Sequence, residues 1–205
     1  MKLFGTPGSP YVRKVRIVLA EKKIPHDYIV ARGSAPDSPV PPFNPLAKIP
    51  TLVRDDGRGL YDSPVIVEYL DAFGSGPKLI PEDFESRIEV KRWEALGDGI
   101  AEATVNIHHE YREPPDKQRA PAWFAKHQFK IDRGLAAMEK ALGANEYCFG
   151  GHFTLADIAA GYALSYLDHA LPHFEWRSKH PALARLAERL AARPSFIGNG
   201  HGPAA

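Results

Sequence analysis

The hydrophobic rhythm of this chain changes once, across residues 74–81 where glycine and proline dominate, and that single change restricts the folds open to it. Before it, short β-like runs alternate with helical patterns and proline-rich turns; after it, the period is helical throughout. Residues 2–5 read as a strand ended by Thr6-Pro7-Gly8, and residues 11–22 as a helix with Val12, Val15 and Leu19 on one face. Residues 27–31 are a second strand, and residues 32–45, with five prolines, are irregular. Residues 51–53 and 59–61 flank Asp55-Asp56-Gly57, which signals a hairpin, and Ser63-Pro64 opens another helix with Val65, Ile66, Tyr69 and Leu70 on its buried side. A parallel crossover followed by an antiparallel hairpin predicts a mixed sheet.

Beyond the break, four stripes at helical spacing follow one another. They are anchored on Ile88 and Ile100, on Ile131 and Leu135, on Leu155 and Ile158, and on Leu183 and Leu186. The expectation is an α/β domain over residues 1–76, a linker at 77–84 and an all-helical bundle over 85–205. No internal repeat interrupts that plan.

Composition closes off several functions. The formal net charge is +1 and the basic residues are spread along the chain, so there is no basic block of the kind that nucleic-acid binding requires. Cys148 is the only cysteine, which excludes an internal disulfide or a cysteine-built zinc site and suits a reducing compartment. Gly5, Pro7, Gly8 and Pro10 break the N-terminus before a secretory leader can form, and no run reaches the ~18 apolar residues that span a bilayer. A soluble, cytoplasmic protein without membrane partners is expected.

Three short motifs bear on chemistry. Ser9 precedes Pro10, so Ser9 is placed to cap a helix at the positive end of its dipole. A serine that merely caps its helix accounts for this pattern. The hydroxyl can also donate its own proton, and a thiolate set there would gain one hydrogen bond and feel the helix N-terminus. The arrangement recurs at Asp62-Ser63-Pro64, where helix amides and a hydroxyl suit a carboxylate and Asp62 suits an ammonium group. Together these two would recognise an amino-acid head. Between them, Ile49-Pro50 directly precedes a strand; a trans proline simply begins the strand, whereas a cis bond would turn the Ile49 amide and carbonyl outward for an extended peptide. Lys48 stands beside them as a partner for a carboxylate, or as one more solvated lysine.

Taken in order, residues 9–16 (Ser-Pro-Tyr-Val-Arg-Lys-Val-Arg), 43–52 (Phe-Asn-Pro-Leu-Ala-Lys-Ile-Pro-Thr-Leu) and 60–70 resemble the glutathione S-transferase family, and the likeness runs over essentially the whole chain. The resemblance implies a thioredoxin-like domain with a four-stranded mixed sheet, then a helical bundle, in a homodimer. It implies glutathione as cosubstrate, no metal or redox cofactor, and a small electrophile as the second partner. In family terms, Ser9 is the catalytic residue that stabilises the glutathione thiolate, with Thr6 as a competitor for that role. Ile49, before Pro50, pairs through its backbone with the cysteinyl part of glutathione; Asp62 and Ser63 hold the γ-glutamyl head, and Lys48 the glycyl carboxylate. Cysteine-type relatives carry Cys where this chain has Ser9, so a covalent glutaredoxin-like mechanism is not expected.

The helical half adds Thr154-Leu155-Ala156-Asp157, spaced as a capping box with Phe153 and Ile158 as its hydrophobic staple. That motif serves folding. By resemblance, Asp98, between Gly97 and Gly99, reaches the glutathione amino group across a dimer interface; otherwise it is a solvated helix acid. His108 and Tyr111 with Tyr11 line the second-substrate pocket by the same resemblance, and His108-His109 is not a metal site because adjacent helical residues diverge by about 100°. Cys148 beside Gly150-Gly151 reads as a small buried residue. A non-catalytic binding or regulatory protein on the same fold, and a specialised glutathione-dependent isomerase, dehalogenase or lyase, are the alternatives to conjugation.

Overall fold

The computed structural model describes residues 1–200. Its elements in chain order are β1 (Lys2–Gly5), α1 (Pro10–Glu21), β2 (Asp27–Val30), β3 (Thr51–Val53), β4 (Gly59–Leu60), α2 (Ser63–Phe73), α3 (Phe84–Glu110), α4 (Pro121–Leu142), α5 (Leu155–Ala170), α6 (Pro181–Ala191) and the short α7 (Pro194–Ile197). They form two compact units: Met1–Ile80 together with the described stretch 193–200, and Pro81–Ala192.

The first unit is built on one sheet of order β2-β1-β3-β4. β1 runs parallel to β2, with Lys2 opposite Asp27, and antiparallel to β3, with Phe4 opposite Thr51; β3 pairs antiparallel with β4, with Leu52 opposite Leu60. The mixed sheet is the one the sequence predicts. Val12, Val15 and Leu19 are fully buried, as the helical stripe requires. α1 can close on β1 because residue 5 is glycine: a Cβ there would lie 2.5 Å from the Val12 side chain. The hairpin turns through Gly57 at φ +82°, which glycine adopts without penalty, and Arg54 and Arg58 close it with an N–H···O bond of 2.9 Å.

The proline-rich connection after β2 is irregular but packed. Phe4, Ala31, Val40 and Val53 form a small core, with Phe43 and Ile49 against it. Gly33 lets the connection fold back on itself, since a Cβ there would lie 2.0 Å from the Ala47 carbonyl oxygen.

The glycine-proline stretch after α2 is also fastened. The Lys22 ammonium, 1% exposed, donates to the carbonyls of Gly76 and Pro77 at 3.0 Å each and pairs with Asp71 at 3.1 Å. Asp71 accepts in turn from the Leu79 and Ile80 amides at 2.9 and 3.2 Å. Each of the three ammonium protons has an acceptor, so this buried pair carries no orphaned charge.

In the second unit α5 is buried almost all round, with α3 and α6 packed on it. Gly97 makes the contact with α3 close: a Cβ there would lie 2.6 Å from the Ala159 carbonyl. The capping box forms as expected. Thr154 Oγ1 accepts from the Ala156 amide at 3.2 Å, and Asp157 accepts from the Thr154 amide at 2.9 Å. Asp157 also accepts from the Cys148 amide at 2.8 Å, tying the preceding loop to the helix. The N-terminus of α6 has no cap from its own chain segment; Glu139 of α4 takes its Ala182 and Leu183 amides at 2.9 Å each. The helical stretch expected over residues 85–205 ends at Ala192 in packing terms, because α7 lies on α1.

Candidate active site

Strand register brings the three motifs of the first unit to one end of its sheet. Ser9 follows the C-terminal end of β1, and Ile49-Pro50 precede the start of β3, which the Phe4–Thr51 pairing sets beside that end. Asp62 and Ser63 follow the C-terminal end of β4, which the Leu52–Leu60 pairing brings to the same place. The N-termini of α1 and α2 therefore open there together, and neither first turn carries an acid. Two helix N-termini at one sheet end make a natural anion site.

Ser9 is the N-cap of α1, as its sequence context predicts. Its backbone is extended (φ −78°, ψ 123°), its amide donates to the Thr6 carbonyl at 3.1 Å, and its Oγ accepts from the Val12 amide at 3.4 Å. That cap bond is long, and the hydroxyl proton is not needed for it. Thr6 stands outside the helix.

The Ile49–Pro50 bond is cis. Neither the amide nor the carbonyl of Ile49 takes a hydrogen bond among the described residues, so both are available to an extended ligand. Lys48 is exposed beside them. The residue that shapes this turn is Asn44, which sequence reasoning passed over. Asn44 is 1% exposed; its Nδ2 donates to the Lys48 carbonyl at 3.0 Å and to Thr51 Oγ1 at 3.1 Å, while its Oδ1 accepts from the Leu46 amide at 3.0 Å. Thr51 Oγ1 adds a bond to the Lys48 carbonyl at 2.8 Å. The signal was present as Asn-Pro within a turn, where an Asn side chain often bonds its own neighbours.

At α2 the N-cap is Asp62 rather than Ser63, which occupies the first helical position ahead of Pro64. Asp62 makes no side-chain cap bond and is exposed. Ser63 is 3% exposed, and its hydroxyl makes no hydrogen bond among the described residues. A carboxylate and a hydroxyl at a helix N-terminus are thus left without internal duties.

The remaining predicted residues are distributed over both units. Tyr11 lies half-buried in the first turn of α1. Asp98 on α3 is not a solvated acid: it accepts a hydrogen bond from the Tyr162 hydroxyl of α5. The close packing permitted by Gly97 is likewise against α5 of the same chain, while nothing lies near a Cβ built at Gly99. His108 Nδ1 sits 3.2 Å from the Ala170 carbonyl, an acceptor only, so Nδ1 carries the proton and Nε2 is the other face of the ring. Its ring meets Tyr166 edge-on, and burial pushes the Tyr166 phenol up to about 12. Tyr111 caps α3 at its C-terminus, is exposed, and stacks on Phe124 at 5.2 Å. Among the described residues no group of three or more His, Cys, Asp or Glu could hold a metal ion. Cys148 is buried, and burial followed by the Asp157 charge raises its thiol well above the ordinary value, which makes it inert. No helix among the described residues is long and apolar enough to cross a membrane.

Comparison with known proteins gives the family. A family model for the glutathione S-transferase N-terminal domain matches residues 3–78, and one for the C-terminal domain of the same family matches residues 121–199. The chain is 35% identical to the uncharacterised GST-like protein YibF of Escherichia coli K12 over 197 residues, 96% of each chain. It is similar in structure to a glutathione S-transferase of Methylobacillus flagellatus KT with glutathione bound, at a TM-score of 0.93 and 42% identity, covering 98% of this chain and 99% of that one. A glutathione transferase family member of Pseudomonas fluorescens Pf-5, with bound S-(propanoic acid)-glutathione, follows at a TM-score of 0.86 and 37% identity over 98% and 99% of the two chains. With both domain models matched in order and likeness across nearly the full length, the chain belongs to the glutathione S-transferase family.

Proposed function

We propose that this glutathione transferase activates the glutathione thiol with Ser9 and transfers the thiolate to an electrophilic small molecule. One observation carries the reading: the sheet register gathers the Ser9 cap, the unpaired Ile49 backbone and the Asp62-Ser63 helix start at one end of one sheet. A tripeptide with an amino-acid head, a thiol and a terminal carboxylate matches that sequence of groups. Asp62 and Ser63 hold the γ-glutamyl head, Ile49 beside Pro50 pairs with the cysteinyl backbone, and Lys48 meets the glycyl carboxylate. The Ser9 O–H donates to the sulfur, and the α1 N-terminus adds its positive end. Both favour the thiolate over the thiol.

Catalysis then comes from a raised thiolate population and from holding it against the acceptor. The sulfur forms the new bond to the electrophilic carbon, and the displaced group leaves with its electron pair. Tyr11, His108 and Tyr111 are assigned to the acceptor, and Asp98 to the glutathione amino group of a partner in a cytoplasmic homodimer; these assignments rest on family resemblance.

Retention on immobilised glutathione, with thiolate absorbance appearing on mixing, tests binding and activation together. Absence of both would favour a non-catalytic scaffold. A panel of electrophiles, scored for conjugate against isomerised, dehalogenated or reduced product, then decides which transfer the site performs.

A further inference from the structure

Residues 193–199 lie along α1 and grip it at two places. Arg193 forks onto the Glu21 carboxylate through Nε and Nη2 at 2.6 and 2.9 Å, and the Ser195 hydroxyl donates to the same carboxylate at 2.5 Å. Toward the start of the helix, Arg13 Nε donates to the Asn199 carbonyl at 2.7 Å, and its guanidinium carbon lies 5.5 Å from the centre of the Phe196 ring. Asn199 Nδ2 donates to the Ser195 carbonyl at 2.7 Å, so the segment braces itself between the two grips. Ser195, Phe196 and Asn199 are buried, and Arg13 is 6% exposed.

The two grips are separated by about 12 Å along the helix axis. Elsewhere α1 is held by the buried Val12, Val15 and Leu19, and apolar packing of this kind tolerates small changes of roll and sliding. Forked, charge-assisted hydrogen bonds do not, because their geometry is directional. Covering α1 alone would be served by apolar side chains, without the cost of burying a guanidinium. The grip nearer the N-terminus also acts close to the chemistry: the Arg13 amide donates to the Ser9 carbonyl at 3.1 Å and so closes the first turn of the helix.

We propose that residues 193–199 are a strap that positions Ser9, with Arg13 and Glu21 as the positioning residues through which it fixes the roll and axial placement of α1. The proposal rests on the reading of Ser9 as the thiol-activating group. A helix N-terminus and a hydroxyl stabilise a thiolate only when both point at the sulfur, and displacements of about half an ångström weaken such a site. Loosening the strap therefore costs thiol activation before it costs glutathione binding, which is spread over Ile49, Asp62 and Ser63.

The test uses the full chain and three variants, Arg193→Ala, Glu21→Gln and Arg13→Lys. The acid limb of kcat/KM against pH reports the pKa of the bound thiol, and glutathione Kd and Tm are measured alongside. Each variant should move the limb up by about half a pH unit, roughly a threefold loss of thiolate below it, with Kd changed by less than about twofold. Arg193→Lys, which keeps a cation beside Glu21, should move it less. An unmoved limb in all three variants overturns the proposal, whatever happens to Tm. Should Arg193→Ala not fold, Glu21→Gln and Arg13→Lys decide alone. Ser9→Ala is the control: a limb that moves there but not in the strap variants removes the strap alone, and one unmoved in Ser9→Ala removes the Ser9 reading with it.

Discussion

Ser9 caps α1 and is proposed to activate the thiol, and the two duties separate on substitution. As N-cap of α1 it satisfies the Val12 amide through a bond of 3.4 Å, and losing a cap costs about 1 kcal/mol of stability. In the proposed role of thiol activator it would donate its proton to an anion, a contact worth more in a helix N-terminal site than a neutral bond. Ser9→Ala should therefore lower turnover roughly a hundredfold while glutathione Kd changes little, measured by steady-state kinetics and calorimetry. Unchanged turnover would transfer the role to Thr6 or elsewhere. Ser63 should divide the other way. Ser63 is buried at the start of α2 and is assigned to the γ-glutamyl head, so Ser63→Ala should weaken glutathione binding by about tenfold and leave bound-state turnover close to normal. An unaltered Kd would remove Ser63 from the site. Both residues were legible in the sequence because serine before proline at a helix start is a local signal. Asn44 was not: its value lies in reaching the Lys48 carbonyl and Thr51 at once, which only the folded turn reveals.

At the scale of elements, α1 is fixed by more than its hydrophobic face. Burial alone would raise the Glu21 carboxyl, but hydrogen bonds from Arg193 and Ser195 and the Arg193 charge outweigh it and hold the group below its ordinary 4.5. A carboxyl depressed in the folded state contributes stability above its unfolded value, and that contribution is lost as the pH falls through the folded one. Glu21→Gln should thus flatten the fall of Tm in the acid range below 4.5, relative to the parent chain. A fall of equal steepness in both would mean that the Glu21 ties add nothing. Lys22, at the other side of the same helix end, should be costlier to remove. Lys22→Met leaves Asp71 buried without its cation and should destabilise the chain by about 3–5 kcal/mol in urea unfolding. The helices and strands themselves followed from periodicity: the stripe of Val12, Val15 and Leu19, the hairpin at Gly57 and the Thr154–Asp157 box all formed where the pattern put them. The tie of Lys22 to residues 71–77 did not show, since a lysine in sequence reads as solvated until a buried carboxylate meets it.

The molecule as a whole is divided in space differently from how it is divided in sequence. Residues 81–192 form one continuous unit, whereas the other needs both ends of the chain, Met1–Ile80 and the stretch from Arg193. The sequence could not announce this. The stretch from residue 193 is short and rich in glycine and proline, and nothing in its periodicity distinguishes packing on α6 from packing on a helix nearly the whole chain away. Fragments make the arrangement measurable. A fragment of residues 81–192 keeps every buried contact of α5 with α3 and α6, so it should unfold cooperatively with strong helical circular dichroism. A fragment of residues 1–80 loses Phe196 over Arg13 and both hydrogen-bonded grips on α1, leaving a guanidinium-bearing face uncovered. It should unfold at a lower temperature than the same region in the whole chain, and a synthetic peptide of residues 193–205 added in excess should raise its midpoint by mass action. A peptide carrying Arg193→Ala and Phe196→Ala should fail to do so. If residues 1–80 are equally stable with and without the peptide, the first unit is complete at Ile80, and α7 merely rests on it.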